Sequence, residues 1–386
     1  MSEIRINKLP FYWRLCPPNK RPPNIVADYF PFSFEFDQSC GLTIQKRDPQ
    51  VLQALDFIYQ QEYNIGYLQD ANEIAKPYGS DFINYLTNTL EKNSSIKKVL
   101  EIGCGGCVVL EKLKSLGYDV CGIDSSPFAL VEGKRKGVDV VVDFFPSAKI
   151  PDKFDLIFHV DVLEHIDNYI EFLLHQHNQL SDDGVLIVNV PDATQSIEIG
   201  DISQAMHQHL NYFTEHSLTT ALANAGFSDI EVRKAGYGGS LYACGKKKAV
   251  NSSKKTTNPD DQFLEFSRKA SKSISQFERF VSETLSKPNH SLGFYVPLRA
   301  LPYISKLEVY DGFRFFDDTD HWHMNAFDGI DVPIENFEDL NRNPVTDLVI
   351  MSLTFGERIK TKVFEQFNSK INVLTLSDLI HSCAAK

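Results

Sequence analysis

A glycine-rich turn between an apolar run and a later acid is the feature of this chain most able to do chemistry. Glu101 lies near the end of the apolar run, Gly103 and Gly105 form the turn, and a second apolar run at 120–123 ends at Asp124. Glycines let the backbone approach a ligand, and the N–H groups of the following helix can bind it. The carboxylate of Asp124 can accept hydrogen bonds from ribose hydroxyls. This layout predicts a nucleotide-type cofactor site, and Asp124 argues against a purely structural turn.

The spacing of the glycines separates two cofactor classes. A dinucleotide fingerprint has the pattern G-x-G-x-x-G, but Val108 stands where its third glycine would be. The order acid-x-Gly-x-Gly at Glu101, Gly103 and Gly105 instead resembles the first motif of S-adenosylmethionine (SAM)-dependent methyltransferases. SAM has no pyrophosphate, and its amino-acid tail and sulfonium cation suit backbone groups and a nearby carboxylate. The turn by itself favours SAM and leaves NAD open.

Further strands are expected after the turn. Asp143 and Phe144 follow the third of them, where an acid and an aromatic ring can hold an adenine amino group and ring face. The alternative for the neighbouring Phe145 is a place in the core. The apolar runs that predict these strands are 138–142, 154–160, 185–190, and a closing hairpin at 230–233 and 240–244.

Over roughly residues 70–248 these motifs resemble class I SAM-dependent methyltransferases. The resemblance implies an α/β, Rossmann-like, seven-stranded domain with SAM as cofactor. The segment 161–166 matches the segment that follows the fourth strand in many of these enzymes. The cofactor-binding residues that the resemblance implies are Glu101, Gly103, Cys104, Gly105, Asp124, Ser125, Asp143, Phe144, Val160 and His165.

Length and charge limit the possible partners. A chain of 386 residues suggests two or three domains, and 42% hydrophobic residues suffice for sizeable cores. The net charge of −12 argues against nucleic acid and anionic membranes as partners. No apolar run has transmembrane length and the first residues lack a signal-peptide core. Seven scattered cysteines indicate a reducing cytoplasm. The oligomeric state is left open.

The chain is predicted to have three parts. Residues 1–70 form an N-terminal extension, with a mainly helical stretch at 48–68, and residues 71–248 form the methyltransferase-like domain, opened by a helix from about Ser80. The polar residues 249–260 are predicted to be a linker. Residues 261–386 then begin with a long amphipathic helix and continue with helices and strands, which predicts a second, smaller Rossmann-like α/β domain.

This plan resembles a narrower group, the sugar C-methyltransferases of deoxysugar biosynthesis. Those enzymes have a small zinc module, a SAM domain and a C-terminal Rossmann-like domain. Residues 37–42 resemble the end of the zinc module, 62–67 the tyrosine segment over the active site, and 206–213 the histidine-rich catalytic segment. The resemblance implies a sugar or nucleotide-linked sugar as substrate. It also implies a substrate role for Tyr63, Tyr67 and Tyr212, with Arg299 able to meet a phosphate.

The chain departs from that group in several places. Its N-terminal part has only Cys16 and Cys40 and no C-x-x-C pair, so we expect no bound metal. Met206 and Gln208 replace the family's polar residues in the histidine segment. Residues 294–299 lack a glycine-rich loop.

The catalytic assignment follows from the needs of methyl transfer, which are alignment and removal of a proton from the acceptor. Histidine suits the proton transfer because its pKa lies near working pH. His209 is the predicted base and His207 the second choice, although either can instead serve a loop. His321 and His323 are interpreted as structural.

Two other functions stay open. The segment 162–166 also resembles ubiquinone-type enzymes, which predicts an O-methyltransferase of a small hydroxylated metabolite such as a quinone or polyketide. The third possibility is a non-catalytic scaffold that retains the cofactor fold.

Overall fold

The computed structural model describes residues 4–18, 26–61, 75–150, 153–247, 260–307, 312–367 and 371–381. The chain divides into two compact units. The central unit comprises residues 36–194 and 208–259, and the flanking unit comprises 1–35, 195–207 and 260–386.

Strands and helices are numbered in chain order. The strands are β1 Arg5–Pro10, β2 Leu15–Cys16, β3 Tyr29–Asp37, β4 Leu42–Gln45, β5 Lys98–Ile102, β6 Asp119–Asp124, β7 Asp139–Val142, β8 Phe154–Val160, β9 Leu180–Pro191, β10 Asn211–Tyr212, β11 Phe227–Lys234, β12 Ser240–Lys247, β13 Leu292–Tyr295, β14 Phe313–Asp317, β15 Ala326–Phe327, β16 Ile334–Asn336, β17 Asp347–Ile350 and β18 Asn372–Thr375. The helices are α1 Pro49–Tyr59, α2 Ala75–Glu91, α3 Val108–Ser115, α4 Pro127–Lys136, α5 Tyr169–Gln179, α6 Thr194–Ile199, α7 Glu215–Asn224, α8 Asp260–Leu285, α9 Pro297–Ile304, α10 Gly356–Phe367 and α11 Leu376–His381.

The central unit is built on a seven-stranded sheet with the order β11-β12-β9-β8-β5-β6-β7. Strands β5 to β9 run parallel, whereas β12 is antiparallel to both β9 and β11. Strand order reverses between β5 and β8, and open α/β sheets bind ligands at the carboxyl ends of strands at such a reversal. The predicted Rossmann-like, seven-stranded α/β fold is confirmed.

The apolar runs become central strands because both faces of this sheet are covered. Leu100 and Ile157 contribute to the core on one face, and their neighbours Val99 and Leu156 contribute to the core on the other. This alternation follows from the two-residue repeat of a strand. Strands buried on both sides are apolar throughout, which is why the sequence revealed them.

The flanking unit contains a second, five-stranded sheet with the order β16-β14-β13-β17-β18, and all its pairs are parallel. The predicted second α/β sheet is therefore present, and the long helix predicted before it is α8. Residues 1–35 and 195–207 also belong to this unit, which differs from the predicted three-part order. Pairing of β2 with β15 and a hydrogen bond from Tyr303 to Asp201 connect these segments to the C-terminal part.

Two predicted boundaries also differ. Helix α2 begins at Ala75 rather than near Ser80, since Pro77 is tolerated in a first helical turn and a serine is only a local capping signal. The N-terminal helix is α1, which ends at Tyr59, and residues 62–74 lie outside the described residues. The predicted linker is described only at Asp260, where α8 begins. Among the described helices, none is long and apolar enough to cross a membrane.

Candidate functional site

The turn after β5 requires glycine for two reasons. Gly103 has φ +72° and Gly105 has φ +42°, in the left-handed region that side chains rarely adopt. A Cβ on Gly103 would stand 2.6 Å from Cγ2 of Val162. The turn therefore packs directly on the segment that follows β8. The next residue, Cys104, is buried against Gly122 of β6.

Asp124, at the end of β6, fastens this turn. Its two carboxylate oxygens accept hydrogen bonds from the N–H groups of Gly105, at 2.9 Å, and Ser126, at 2.8 Å. Burial raises the pKa of Asp124, and the two N–H donors oppose that shift. Each carboxylate oxygen has more than one acceptor position, so the carboxylate can still receive a ribose hydroxyl.

The surroundings of Glu101 indicate independently whether this site suits SAM. The residue is 2% exposed, and its Oε2 has no hydrogen-bond partner among the described residues. Burial and the nearby Cys107 and Asp124 raise its pKa well above the usual range. A buried carboxyl with one unpaired oxygen beside the glycine turn is suited to the positive charges of SAM, because an opposite charge offsets the cost of its burial.

Helix α1 ends on the loop after Asp124. Ser125 Oγ donates to the carbonyl of Tyr59 at 2.8 Å, and Ser126 Oγ donates to that of Gln61 at 3.4 Å. Ser126 also caps α4 by accepting from the N–H of Phe128. The predicted cofactor residue Ser125 is thus held by the segment that precedes the methyltransferase-like strands, a contact that no local sequence signal indicated.

The predicted adenine residues lie after β7. Asp143 accepts hydrogen bonds from Ser147 at 2.8 Å and pairs with Lys149 at 3.1 Å, and these contacts lower its pKa. Phe144 is 43% exposed, whereas Phe145 packs against the ring of Phe172 in the core. The exposure of Phe144 is compatible with the predicted contact to an adenine ring, which stays a prediction.

A polar network closes the end of β8, next to the predicted cofactor residue Val160. Asp161 has φ +52°, and its carboxylate accepts a hydrogen bond from the hydroxyl of Tyr78 at 2.8 Å. Asn189 donates to the same hydroxyl, and Ser240 is within hydrogen-bond distance of it. No local sequence pattern indicated Tyr78, because its three partners lie in separate parts of the chain.

Glu164, His165 and His209 form one group, which we call the Glu164 cluster. One potential ligand atom from each residue lies within 4.8 Å of the others. The ring centroids of His165 and His209 are 5.2 Å apart, and the ring of Tyr59 is 5.9 Å from that of His165. Burial lowers the pKa of His165 to about 4, so this imidazole is neutral at pH 7. The structure therefore joins the predicted base to a predicted cofactor-side residue and to Glu164, which had no predicted role.

Arg47 holds the chain around this cluster. Its guanidinium donates to the carbonyl of Leu210 at 2.7 Å, the side chain of Asn211 at 2.8 Å, and the carboxylate of Asp167 at 2.8 Å. These partners flank both His209 and His165. No sequence pattern indicated this role of Arg47, because a single arginine before a helix carries no signal of such distant partners.

The other predicted residues are placed as follows. Tyr212 lies in the central unit, with its ring centroid 6.4 Å from that of His209. His207 belongs to the flanking unit, where it is 1% exposed and surrounded by phenylalanine rings, so its surroundings do not favour the base role. Arg299 lies in the first turn of α9. Tyr63 and Tyr67 lie outside the described residues. The rings around His207 are those of Phe11, Phe30 and Phe32.

The pair His321 and His323 fits its structural interpretation. His323 Nε2 lies 2.9 Å from the carbonyl oxygen of Asp317, and Asn336 contacts its other ring nitrogen. Cys16 and Asp328 both belong to the flanking unit, and the Sγ of Cys16 lies 3.9 Å from a carboxylate oxygen of Asp328.

Comparison with known proteins agrees with this geometry. Residues 68–232 match the family model described as a methyltransferase domain. The chain is 28% identical over 160 residues to the mitochondrial ubiquinone biosynthesis O-methyltransferase of Schizosaccharomyces pombe, covering 35% of this chain and 58% of that protein. It is 33% identical over 133 residues to the ubiquinone biosynthesis O-methyltransferase of Glaesserella parasuis, covering 31% and 55%. The chain thus spans a little over half the length of these relatives.

Solved structures of lower identity also match part of this chain. The N-methyltransferase NodS of Bradyrhizobium japonicum, in complex with S-adenosyl-L-homocysteine, is 19% identical with a TM-score of 0.38, covering 51% of this chain and 97% of that one. The SAM-bound amino pentose methyltransferase CalS10 of Micromonospora echinaspora is 13% identical with a TM-score of 0.38, covering 45% and 91%.

Proposed function

Because the chain contains a class I SAM-dependent methyltransferase domain, with SAM as its cofactor, we propose that it transfers the methyl group of SAM to a hydroxyl group of a small molecule. One observation carries this proposal. The glycine turn and the Glu164 cluster follow β5 and β8, which are neighbours at the reversal of strand order. A cofactor site and a group able to handle a proton therefore share one edge of one sheet.

The chemistry defines what the chain must contribute. Bound SAM supplies an electrophilic methyl group, and its leaving group is a neutral thioether. No residue is needed to stabilise a leaving anion, so the protein has to align the two reactants and manage the acceptor's proton. Asp124 and the glycine turn would hold SAM for the alignment, and the Glu164 cluster would handle the acceptor's proton.

His209 is the proposed general base. It is the histidine of the predicted catalytic segment that lies in the central unit, beside His165 and Tyr212. The hydrogen bonds of Arg47 to Leu210 and Asn211 fix the backbone immediately after it. His207, the second choice from sequence, is supported less because aromatic rings enclose it.

Two acceptor classes follow from different observations. A sugar or nucleotide-linked sugar is supported by the second parallel sheet, which matches the C-terminal domain of the sugar methyltransferase plan. A phenolic hydroxyl of the quinone or polyketide type is supported by the names of the two relatives. The acidic net charge supports the further proposal of a partner that is not nucleic acid. The cysteines that are free among the described residues support the proposal of a cytoplasmic location.

The test separates binding from turnover. Calorimetry should show SAM binding to the purified chain, and transfer of a labelled methyl group should be measured with panels of nucleotide-sugars and of hydroxylated quinones. His209→Ala should retain SAM binding and lose at least about 100-fold in turnover, the usual contribution of a general base. His175→Ala, a change at a half-exposed histidine paired with Glu171, is the control. Absence of SAM binding would refute the proposal, and binding without transfer to any acceptor would favour the scaffold function.

A further inference from the structure

We propose that Cys104 and Cys107 form a redox-sensitive thiol pair, which a peroxide oxidises to a disulfide that weakens the binding of SAM. The pair lies in the glycine turn at 103–107 (the cofactor turn). The oxidation site rests on side-chain geometry alone. Only the effect on SAM rests on the proposed function, which makes this turn the SAM site.

The two cysteines stand at the ends of one tight turn. The N–H of Cys107 donates to the carbonyl of Cys104 at 2.7 Å, which closes a β-turn over Gly105 and Gly106. The Cα atoms at the ends of a β-turn are less than about 7 Å apart, and disulfides join Cα atoms about 4.4–6.8 Å apart. The two Sγ atoms are 4.0 Å apart. The sulfurs can therefore be joined by a rearrangement confined to this turn.

The surroundings of Cys107 favour its thiolate, which is the form of a cysteine that reacts with oxidants. The hydrogen bond that Cys107 shares with Cys104 lowers the pKa of Cys107, and the ammonium of Lys136 lowers it further. Burial and the carboxylates of Asp124 and Glu132 oppose this shift without cancelling it. The same hydrogen bond and burial raise the pKa of Cys104, which therefore keeps its proton.

Lys136 is part of the structure of the turn. Its side chain is 5% exposed, and its Nζ donates to the carbonyl of Gly106 at 2.7 Å, in the peptide bond that precedes Cys107. Cys107 is also the N-cap residue of α3, so the N–H groups of that helix add positive potential at its sulfur. A neighbouring lysine and a helix N-terminus are two features that lower the pKa of reactive cysteines.

The oxidation balances with hydrogen peroxide as its co-reactant. The thiolate of Cys107 attacks one peroxide oxygen, so that a sulfur–oxygen bond forms, the oxygen–oxygen bond breaks and hydroxide leaves. The hydroxide takes up the proton that Cys107 had released. The thiol of Cys104 then attacks the oxidised sulfur, the disulfide bond forms, and the oxygen departs as water with the proton of Cys104. The two sulfurs lose two electrons, and the peroxide is reduced to water.

Burial selects the oxidant. Cys104 is 5% exposed and Cys107 is 0% exposed, so a molecule close to water in size reaches the sulfurs more easily than a bulky disulfide does. In a reducing cytoplasm, disulfides are usually transient and serve catalysis or redox sensing. A pair that a small peroxide oxidises and cellular thiols reduce again belongs to this class.

The disulfide affects SAM because it changes the turn that holds the cofactor. Gly105, between the two cysteines, donates its N–H to Asp124 at 2.9 Å. Bond formation brings the sulfurs from 4.0 Å to about 2.05 Å, so together they must move by about 2 Å. The Sγ of Cys104 leaves a position packed on Gly122, where an added Cβ would stand 2.6 Å from it. We expect this movement to displace the N–H of Gly105 from Asp124.

The first measurement shows whether the disulfide forms. The full chain is reduced, freed of reductant and treated with hydrogen peroxide, and the remaining thiols are alkylated. The tryptic peptide 99–112 contains Cys104, Cys107 and no other cysteine, so the disulfide makes it two hydrogen atoms lighter and blocks its alkylation. Cys107→Ser should abolish the disulfide. Cys244→Ser, a change at a half-buried cysteine of β12, is the control and should leave it unchanged.

The second measurement shows whether the disulfide and SAM oppose each other. Calorimetry should show that the oxidised chain binds SAM at least about tenfold more weakly, the equivalent of one hydrogen bond to a charged group, and that dithiothreitol restores the affinity. Because such coupling is reciprocal, saturating SAM should raise the ratio of oxidised to reduced dithiothreitol at which half of the pair is oxidised, by the same factor. Peroxide should leave the SAM affinity of Cys107→Ser unchanged.

The possible results are kept apart by these two measurements. Absence of the disulfide in peptide 99–112 of the wild-type chain overturns the inference, and so does equal SAM affinity of the reduced and oxidised chains. If Cys107→Ser no longer binds SAM, the reversible change in the wild-type chain and in Cys244→Ser decides. A disulfide in a chain that binds SAM in neither state would refute the proposed function and leave the oxidation site standing.

Discussion

Substitution of Gly103 by alanine should damage the cofactor turn in two separable ways. The first is conformational, because φ +72° costs a residue with a Cβ about 1–2 kcal/mol. The second is steric, because the new Cβ would stand 2.6 Å from Cγ2 of Val162. Carbon atoms in contact are normally about 3.5–4.0 Å apart, so Val162 would have to retreat by about 1 Å. Such overpacking usually costs about 1–3 kcal/mol.

The two contributions can be measured with a double-mutant cycle. Gly103→Ala should lower the free energy of unfolding by about 2–5 kcal/mol, the sum of both effects. The double variant Gly103→Ala/Val162→Ala should recover about 1–3 kcal/mol relative to the sum of the two single variants, because only the steric part depends on Val162. Urea unfolding followed by fluorescence gives these differences, and calorimetry gives the accompanying loss of SAM affinity.

Two results would refute this reasoning. A Gly103→Ala variant within about 0.5 kcal/mol of the wild type would show that the turn does not need glycine. Additive effects in the cycle would show that Gly103 and Val162 do not press on each other. Gly117→Ala is a useful control, since its φ is +92° but no atom lies within 4 Å of the added Cβ, so it should show the conformational cost alone.

Two further predictions concern residues around the site. Burial lowers the pKa of His159 in the folded state to about 3, from 6.5, so the stability from keeping it neutral is fully present above pH 6.5 and is lost as the pH falls toward 3. Between pH 7 and pH 5 the free energy of unfolding should fall by about 2 kcal/mol because of His159. In the variant His159→Phe, urea unfolding at the two pH values should show a fall that is smaller by this amount, and an unchanged pH dependence would contradict the prediction. Arg47→Met should lower kcat at least about tenfold with little change in SAM affinity, because the lost hydrogen bonds position His209 and do not touch the cofactor turn. Arg47→Lys, which keeps the charge but not the planar fork, should recover little of that loss, and equal losses of kcat and SAM affinity would show a merely structural role.

The part of the fold that the sequence revealed is the part stabilised by local patterns. Strand β8 was predicted with its observed bounds because a run of apolar residues between helices leaves few alternatives. The glycine turn at Gly103 and the position of Asp124 at the end of the next strand were predicted from local patterns in the same way. Each of these features depends on residues close to it in the chain.

The features that the sequence did not reveal depend on partners far away. In β3, Phe30, Phe32 and Phe34 are buried, yet their alternation does not say that the strand pairs with β1. The Glu164 cluster joins residues separated by more than forty positions, and no local pattern indicates which histidine will meet Glu164. Tertiary contacts of this kind are decided by the whole fold.

The division of the chain into units has a consequence for how it can be cut. The backbone passes from one unit to the other between residues 35 and 36, 194 and 195, 207 and 208, and 259 and 260. A single proteolytic cleavage between residues 248 and 259 therefore leaves pieces of both units in the N-terminal fragment. Neither unit corresponds to one continuous stretch of gene. Joining two genes end to end would not produce this arrangement, and a variant truncated after residue 248 would keep residues 195–207 without the C-terminal residues of their unit.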